Sequence, residues 1–97
     1  MIINDCGVIN QAISKWGKDY QSVIAIEEMS ELTKELSKAI RGNDNHSQIV
    51  EETADVMIVL MEIRAMYKIK DTELQKVINA KLDRLRKRVA DDTDQED

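Results

Sequence analysis

Two pairs of acidic residues constrain the fold of this chain more than any other feature. Glu28 stands three residues before Glu31, and Glu52 stands three residues before Asp55. On a helix this spacing places both members of a pair on one face, so the sequence predicts two helices that each present a pair of carboxylates. Carboxylates that converge repel one another unless a cation lies between them. Hard oxygen ligands favour Mg²⁺ or Mn²⁺, and protein-bound Mg²⁺ commonly contacts substrate phosphates.

The second acidic pair opens the most apolar stretch of the chain, residues 56–61. At about 100° per residue, the face that begins with Glu52 and Asp55 continues through three apolar side chains: Val59, Ile63 and Met66. A solvated helix face does not become apolar in this way. The pattern therefore predicts acids that point into the interior of a helical bundle.

The composition is typical of an all-α protein. The chain contains no Pro or Phe and only three Gly, and it is rich in Glu, Lys, Ile, Leu and Met. Its 97 residues make one domain, predicted over residues 1–90, followed by an acidic disordered tail over residues 91–97. A domain this small buries a modest fraction of its surface, so we expect it to self-associate.

Residue usage disfavours several other kinds of site and partner. The single Cys6 cannot form an internal disulfide, and the single His46 lies in a polar stretch, so thiolate or imidazole metal chemistry is not expected. The apolar runs are too short for a membrane span, and the N-terminus lacks a secretory pattern, which predicts a cytoplasmic protein without a membrane partner. The net charge of −5 argues against binding to a nucleic acid polymer.

Apolar spacing and turn residues predict four helices. The first follows a cap at Asn4 or Asp5 and ends at Gly17, and the second runs from about residue 19 to residue 41. The second helix carries an apolar stripe made of Val23, Ile26, Met29, Leu32, Leu36 and Ile40.

A polar connector separates the second helix from the third. Asn45 and Gln48 have the spacing of a capping box at the start of the third helix, which is predicted to end near Tyr67. This helix is apolar nearly all round, which favours a place at the centre of a bundle or at a subunit interface. The fourth helix begins at Asp71 or Thr72 and keeps a helical spacing of apolar side chains along its length.

A solvated helix face is the simplest alternative for these acids. Lys34 and Lys38 follow the glutamates of the second helix at helical spacing and would neutralise them in weak surface ion pairs. For Glu52 and Asp55 this alternative is weaker, because their face becomes apolar within one turn.

The arrangement of the acids resembles that of a known family. Glu27-Glu28-x-x-Glu31, followed about twenty residues later by Glu52-x-x-Asp55 on the next helix, is similar to the signature of the MazG-type nucleotide pyrophosphohydrolases, of the all-α NTP pyrophosphatase superfamily. The resemblance covers roughly residues 16–61 and includes two further segments, Gln21-x-x-x-x-x-Glu27 and Glu35-Leu36-x-Lys38.

The resemblance implies an antiparallel four-helix bundle-like domain that forms dimers or tetramers. It implies Mg²⁺-dependent hydrolysis of nucleoside triphosphates to a monophosphate and pyrophosphate, with Mn²⁺ able to substitute, in house-cleaning or nucleotide pool control. Glu28, Glu31, Glu52 and Asp55 match the metal ligands of the family, and Glu27 matches the adjacent acid of its motif. Glu27 or Glu31 is expected to act as the general base that activates water.

Cationic and aromatic side chains outside the acidic motifs are candidates for substrate contact. Lys81 and Arg84 lie on one edge of the apolar stripe of the fourth helix, and Lys38 follows the first motif. Trp16 precedes the motif-bearing helix, where a nucleobase can stack on it. Each also has an ordinary structural explanation, since cations complement the dipole at a helix C-terminus and a Trp often closes the end of a bundle.

Three rival functions stay open at this point. Phosphoribosyl-ATP pyrophosphohydrolase belongs to the same superfamily, but the Ser-Tyr-Thr segment that usually precedes its acidic motif has no counterpart here. A carboxylate-bridged di-iron bundle usually pairs Glu with His three residues later, and neither motif contains His. A non-catalytic helical dimerisation module would leave the acids solvated and would not bind Mg²⁺.

Overall fold

A computed structural model describes residues 6–91 of the chain, and every regular secondary-structure element in this part is an α-helix. The four helices are α1 (Cys6–Trp16), α2 (Lys18–Ile40), α3 (His46–Met66) and α4 (Asp71–Asp91). The all-α class with four helices is therefore confirmed. The predicted caps at Asn4 and Asp5 and residues 92–97 of the predicted tail lie outside the described residues, whereas Asp91 is the last residue of α4 rather than part of a tail.

Two glycines make the tight turns on either side of α2. Gly17 separates α1 from α2 with a φ of 89°, and Gly42 follows the C-terminal end of α2 with a φ of 97°. Both values lie in the left-handed region that glycine adopts without the steric cost of a Cβ. The predicted helix ends at these glycines are thus confirmed, and α2 can reverse direction into α3 within a few residues.

Helices α1, α2 and α3 pack together, and α2 runs antiparallel to α3. Gln21 near the start of α2 contacts Glu62 near the end of α3, and Glu35 near the end of α2 contacts Asn45 at the start of α3. The apolar core is small and is formed by Ile9, Ala25, Val59 and Met66. Because Val59 and Met66 are buried while Glu52 and Asp55 are half-buried, the prediction for the inner face of α3 is confirmed.

The apolar stripe of α2 lies mostly on the surface of the single chain. Ile26 is 62 % exposed and Ile40 is 86 % exposed, and most of the predicted stripe lies outside the core with them. The buried residues of α2 are instead Gln21, Ala25 and Glu35. The polar side chains of α2 turn inward because residues at the start and end of α3 form hydrogen bonds with them. The apolar side of α2 therefore remains on the surface.

Helix α4 lies outside the three-helix core. Within residues 6–91 it packs against none of the other helices along its length, and none of its own residues is buried. An ion pair between Arg64 and Asp71 holds its first turn against the end of α3. Beyond that turn α3 and α4 diverge around a largely apolar groove of about 430 Å³, whose lining includes Leu60 and Leu74. A single chain therefore leaves the apolar stripe of α4 uncovered.

The predicted capping box at the start of α3 is also wrong. Asn45 does occupy the N-cap position, but its side chain makes no capping hydrogen bond. Its Nδ2 instead donates to the backbone oxygen of Glu35 at 2.9 Å and to Glu35 Oε1 at 2.7 Å. The buried carboxylate of Glu35 needs a donor, and the Asn45 amide satisfies it while tying the α2–α3 connection to the end of α2.

We expect Asn45→Ala to destabilise the protein. Loss of two hydrogen bonds at a buried carboxylate should lower Tm by roughly 5 °C at neutral pH. The Asn45 side chain is also the main cause that holds the pKa of Glu35 below its usual value of 4.5. A lowered pKa means that this stabilisation is complete above pH 4.5 and is lost as the pH falls through the folded-state pKa.

Thermal melts across the acidic range test this expectation. The difference in Tm between wild type and Asn45→Ala should become smaller as Glu35 becomes protonated. Asn43→Ala is the matched control, since Asn43 is an exposed neighbour in the same connection. Two results would contradict the role of Asn45: a loss of Tm in Asn43→Ala as large as that in Asn45→Ala, or a difference in Tm between wild type and Asn45→Ala that grows on acidification.

Candidate metal centre

Polar side chains form three layers along the contact between α2 and α3. On α2 they are Gln21, Glu28 and Glu35, each seven residues from the next, and this spacing keeps them in one line along the helix. On α3 the facing residues are, in the same order, Glu62, then Glu52 with Asp55, then Asn45. We call these the first, middle and third polar layers.

The first and third layers satisfy their own carboxylates. In the first layer Gln21 Nε2 donates to Glu62 Oε1 at 2.9 Å, with both residues almost fully buried at 5 % and 6 % exposure. In the third layer the Asn45 amide donates to Glu35 as described above. Each layer thus sets an amide donor against a carboxylate acceptor, which removes most of the cost of burial.

The middle layer contains acceptors alone. Glu28, Glu52 and Asp55 each contribute a carboxylate oxygen to a group of atoms that all lie within 4.8 Å of one another. All three residues are half-buried. The Oε1 atom of Glu52 is buried and has no hydrogen-bond partner among residues 6–91. Since ionised carboxylates at this spacing offer one another no proton, the layer needs a donor or a cation that the described residues do not supply.

The electrostatics of the middle layer reflect this imbalance. The pKa of Glu28 is raised above its usual value of 4.5 by desolvation first, and then by the charges of Asp55, Glu31 and Glu27. The pKa of Glu52 is raised in the same way, by desolvation and then by Asp55 and neighbouring glutamates. Every charge that shifts these two pKa values is a carboxylate. A divalent cation would reverse the effect, because it favours the ionised form of each acid.

The donor set of the middle layer fits Mg²⁺. It consists of hard carboxylate oxygens, and it comes from two helices that their polar contacts hold in a defined register. Partial exposure also leaves room for the water molecules that Mg²⁺ retains. A cation in this layer would provide an interaction partner for the buried Oε1 atom of Glu52, which has no hydrogen bond among the described residues.

Two further acids lie at the edge of this group. Glu31 is exposed, yet it is close enough to raise the pKa of both Glu28 and Glu52. Glu27 is exposed as well and contributes to the raised pKa of Glu28. The structure therefore brings the four predicted ligands into one neighbourhood, with Glu31 on its solvent side.

Trp16 and Lys38 lie away from the middle layer. Trp16 is 54 % exposed and is the last residue of α1, just before α2 begins at Lys18. Glu28 lies ten residues after Lys18, which is about 15 Å along α2. The ring of Trp16 has the Lys15 ammonium 5.5 Å from its centre. Lys38 lies towards the other end of α2, where its Nζ is 3.4 Å from Glu35 Oε2. Neither contacts the three carboxylates in this chain.

Lys81 and Arg84 are also separate from the acids of their own chain. Both lie on the exposed helix α4, outside the three-helix core. Their predicted role in substrate binding consequently depends on where α4 lies in an assembly.

The predictions made from the sequence do not include the polar pairs on either side of the middle layer. Glu62 falls within the apolar third helix, and the capping-box spacing pairs Asn45 with Gln48 instead of Glu35. The seven-residue interval of Gln21, Glu28 and Glu35 is the signal that points to them, because residues at that interval share one face of a helix.

Comparison of the chain with protein-family models, curated proteins and solved structures finds no match. Among the helices of residues 6–91, none combines the length and apolar character needed to cross a bilayer. The chemistry of the middle layer is thus the firmest basis for a functional assignment.

We expect Glu52→Gln to stabilise the metal-free protein. The raised pKa of Glu52 means that its ionised form destabilises the fold at neutral pH, and that this cost disappears as the pH falls below 4.5, where the group is protonated in both states. In EDTA the variant should melt above wild type at neutral pH and level with it in acid. Wild type should gain Tm on addition of Mg²⁺, and the variant should gain less.

Glu51→Gln provides the control, because it removes the same charge from the exposed neighbouring residue. It should change Tm little and should preserve the response to Mg²⁺. A large loss of Tm for Glu52→Gln in EDTA would instead identify Glu52 as a structural partner in the folded protein and would contradict the metal centre.

Proposed function

We propose that this protein is a Mg²⁺-dependent nucleoside triphosphate pyrophosphohydrolase. The observation that carries the proposal is the middle polar layer: two of the three layers pair a carboxylate with an amide, and the one that does not is the layer made of Glu28, Glu52 and Asp55. The resemblance of its sequence motifs to those of MazG-type enzymes supports the same activity.

In this proposal Glu28, Glu52 and Asp55 hold the metal, and Glu31 lies beside them on the solvent side. When bound, Mg²⁺ supplies positive charge that neutralises the triphosphate and acts as a Lewis acid on its oxygens. The α2–α3 contact keeps the carboxylates in place through the Gln21–Glu62 and Asn45–Glu35 hydrogen bonds. Such fixed positioning lowers the reorganisation needed to reach the transition state.

The remaining chemistry is assigned to the exposed glutamates. A water oxygen attacks the α-phosphorus, the bond from that phosphorus to the bridging oxygen breaks, and pyrophosphate leaves with the electron pair. Glu31 is the favoured base for the proton of this water, because it is exposed to solvent and still lies next to Glu28 and Glu52. Glu27 is the alternative base, one residue from Glu28.

The exposed apolar surface supports assembly as a homodimer or homotetramer. Apolar side chains of α2 such as Ile26 and Ile40, and the stripe of α4 apart from Leu74, are exposed in one chain. Association would bury this surface and complete an antiparallel four-helix bundle. A dimerisation module without catalysis also uses such a surface, and it differs from the enzyme in having no response to Mg²⁺.

The first test is the identity of the product. With Mg²⁺, the protein should release pyrophosphate and a nucleoside monophosphate from one or more members of a panel of standard and modified triphosphates that includes phosphoribosyl-ATP. Activity on phosphoribosyl-ATP alone would favour the rival within the superfamily. Orthophosphate as the primary product would contradict attack at the α-phosphorus.

The second test separates the two candidate bases. Loss of a general base typically lowers the rate by about 10²- to 10⁴-fold. Glu31→Gln should show a loss of this size in kcat, and Glu27→Gln a smaller one. Glu51→Gln, which removes an equal charge from an exposed position, should retain activity. Equal activity of wild type and Glu31→Gln would reject Glu31 as the base.

A further inference from the structure

Helix α2 presents two opposite faces. Its polar face carries Gln21, Glu28 and Glu35 and lies against the polar residues of the α3 side. A second set of residues begins two positions after Gln21, and a step of two residues is about 200° around a helix, so this set lies on the opposite side. We call it the outer stripe of α2, and its members are Val23, Ile26, Ser30, Thr33, Ser37 and Ile40, all of them exposed.

The outer stripe has the spacing of a seam between two helices. Its residues are alternately three and four positions apart, which keeps them in line against one partner helix. The stripe runs about 26 Å along α2, with apolar side chains towards its two ends and small side chains at its centre. Small central side chains allow two helix axes to approach closely.

Two hydroxyl groups of the outer stripe are already satisfied within α2. Ser30 Oγ donates to the backbone oxygen of Ile26, and Thr33 Oγ1 donates to the backbone oxygen of Met29, each at 3.0 Å. Burial against another helix would therefore leave neither hydroxyl proton without an acceptor. The centre of the stripe can enter an interface without this cost.

The outer stripe is self-complementary when a second copy of α2 lies antiparallel to the first. A two-fold axis between positions 31 and 32 brings apolar residues together at both ends of the stripe and small residues together at its centre. The facing pairs are Val23 with the partner's Ile40, Ile26 with the partner's Ser37, and Ser30 with the partner's Thr33.

The residues beside the stripe select this direction. In an antiparallel pair, like flanks of the two helices meet. Glu27 then lies beside the partner's Lys34, and Tyr20 lies beside the partner's Arg41, where a guanidinium can rest on the ring. Symmetry makes each pair occur twice. These four flanking residues are all exposed in the single chain.

The second flank is apolar, and it pairs only in the same direction. Met29 is 37 % exposed and Leu36 is 47 % exposed, and the antiparallel arrangement sets each beside the other in the partner. A parallel pair would bring unlike flanks together. Lys34 would then lie beside the partner's Met29, and Glu27 beside the partner's Ser22. No opposite charges meet in that arrangement, so charge complementarity favours the antiparallel one.

We infer that two copies of this chain associate through α2, with their outer stripes packed antiparallel and with Glu27 of each copy paired to the partner's Lys34. This contact specifies the surface that the proposed assembly uses. It lies on the side of α2 that faces away from α3, so it neither covers the middle layer nor depends on a metal ion there. The inference is thus independent of the proposed function.

Charge reversal tests the flanking pairs. Glu27→Lys and Lys34→Glu each replace two attractive pairs by two repulsive ones, so either variant alone should dimerise with a Kd roughly tenfold above that of wild type. An equimolar mixture of the two variants should associate as well as wild type, because opposite charges meet again in the mixed dimer. Sedimentation equilibrium in EDTA measures each Kd.

Glu51→Lys is the matched control for charge reversal, since Glu51 is exposed on α3 and lies outside the stripe. It should associate like wild type, and circular dichroism should show the same helical content in all variants. Three results would overturn the α2 contact: unchanged association of both single variants, a mixture that does not recover, or a wild type that is monomeric at tens of micromolar.

Disulfide cross-linking tests the direction of the two helices. The exposed Cys6 is first removed by Cys6→Ser. Chains that carry Ser30→Cys are then mixed with chains that carry Thr33→Cys and equilibrated in a glutathione buffer. Because these positions face each other only in the antiparallel pair, the mixed disulfide should be the main product by mass spectrometry.

Ser47→Cys in place of Thr33→Cys provides the control, because Ser47 is exposed on α3 away from the stripe. That mixture should form little mixed disulfide. Disulfides mainly between identical variants would indicate a parallel pair and would overturn the antiparallel contact. Cross-linking no stronger than in the control would overturn the contact altogether.

The inference and the proposed function fail separately. Recovery of association in the charge-reversed mixture, without release of pyrophosphate by wild type in Mg²⁺, would refute the enzyme and retain the α2 contact. Release of pyrophosphate, without recovery and without the mixed disulfide, would retain the enzyme and refute the contact.

Discussion

The contact between α2 and α3 is polar, and the rest of the structure depends on how its carboxylates are satisfied. Gln21 and Asn45 provide amide donors at the two ends of this contact, to Glu62 and Glu35. A shift of either helix by one turn would break both pairs and leave buried acceptors without donors, so the pairs specify the register. That register holds the acids of the middle layer together despite their repulsion.

The polar contact also explains where the apolar surface lies. Because α2 turns Gln21, Ala25 and Glu35 inward, its longer apolar side chains remain outside, and the core of the single chain is limited to a few residues. Helix α4 likewise has an exposed apolar stripe, and within residues 6–91 no other helix packs against it. In the proposed assembly, association would bury both surfaces and would couple the stability of the protein to its oligomeric state.

Lowering the pH changes the stability contributed by the middle layer and by the third layer in opposite directions. The pKa of Glu35 is lowered by its amide donor and by lysine charges, so its ionised form stabilises the fold. The pKa values of Glu28 and Glu52 are raised by desolvation and by other carboxylates, so their ionised forms destabilise it. This contrast between the middle layer and its neighbours is the observation on which the proposed metal centre rests.

The sequence by itself determined the four helices, the glycine turns and the shared face of Glu52 with Asp55, because helix formation and facial spacing depend on residues a few positions apart. It could not determine which side of α2 faces the core, since the Gln21 side chain is satisfied by Glu62, 41 residues away. The partner of Asn45 and the departure of α4 from α3 were likewise decided by tertiary structure. In each case two arrangements satisfy the local pattern, and contacts between distant segments select one of them.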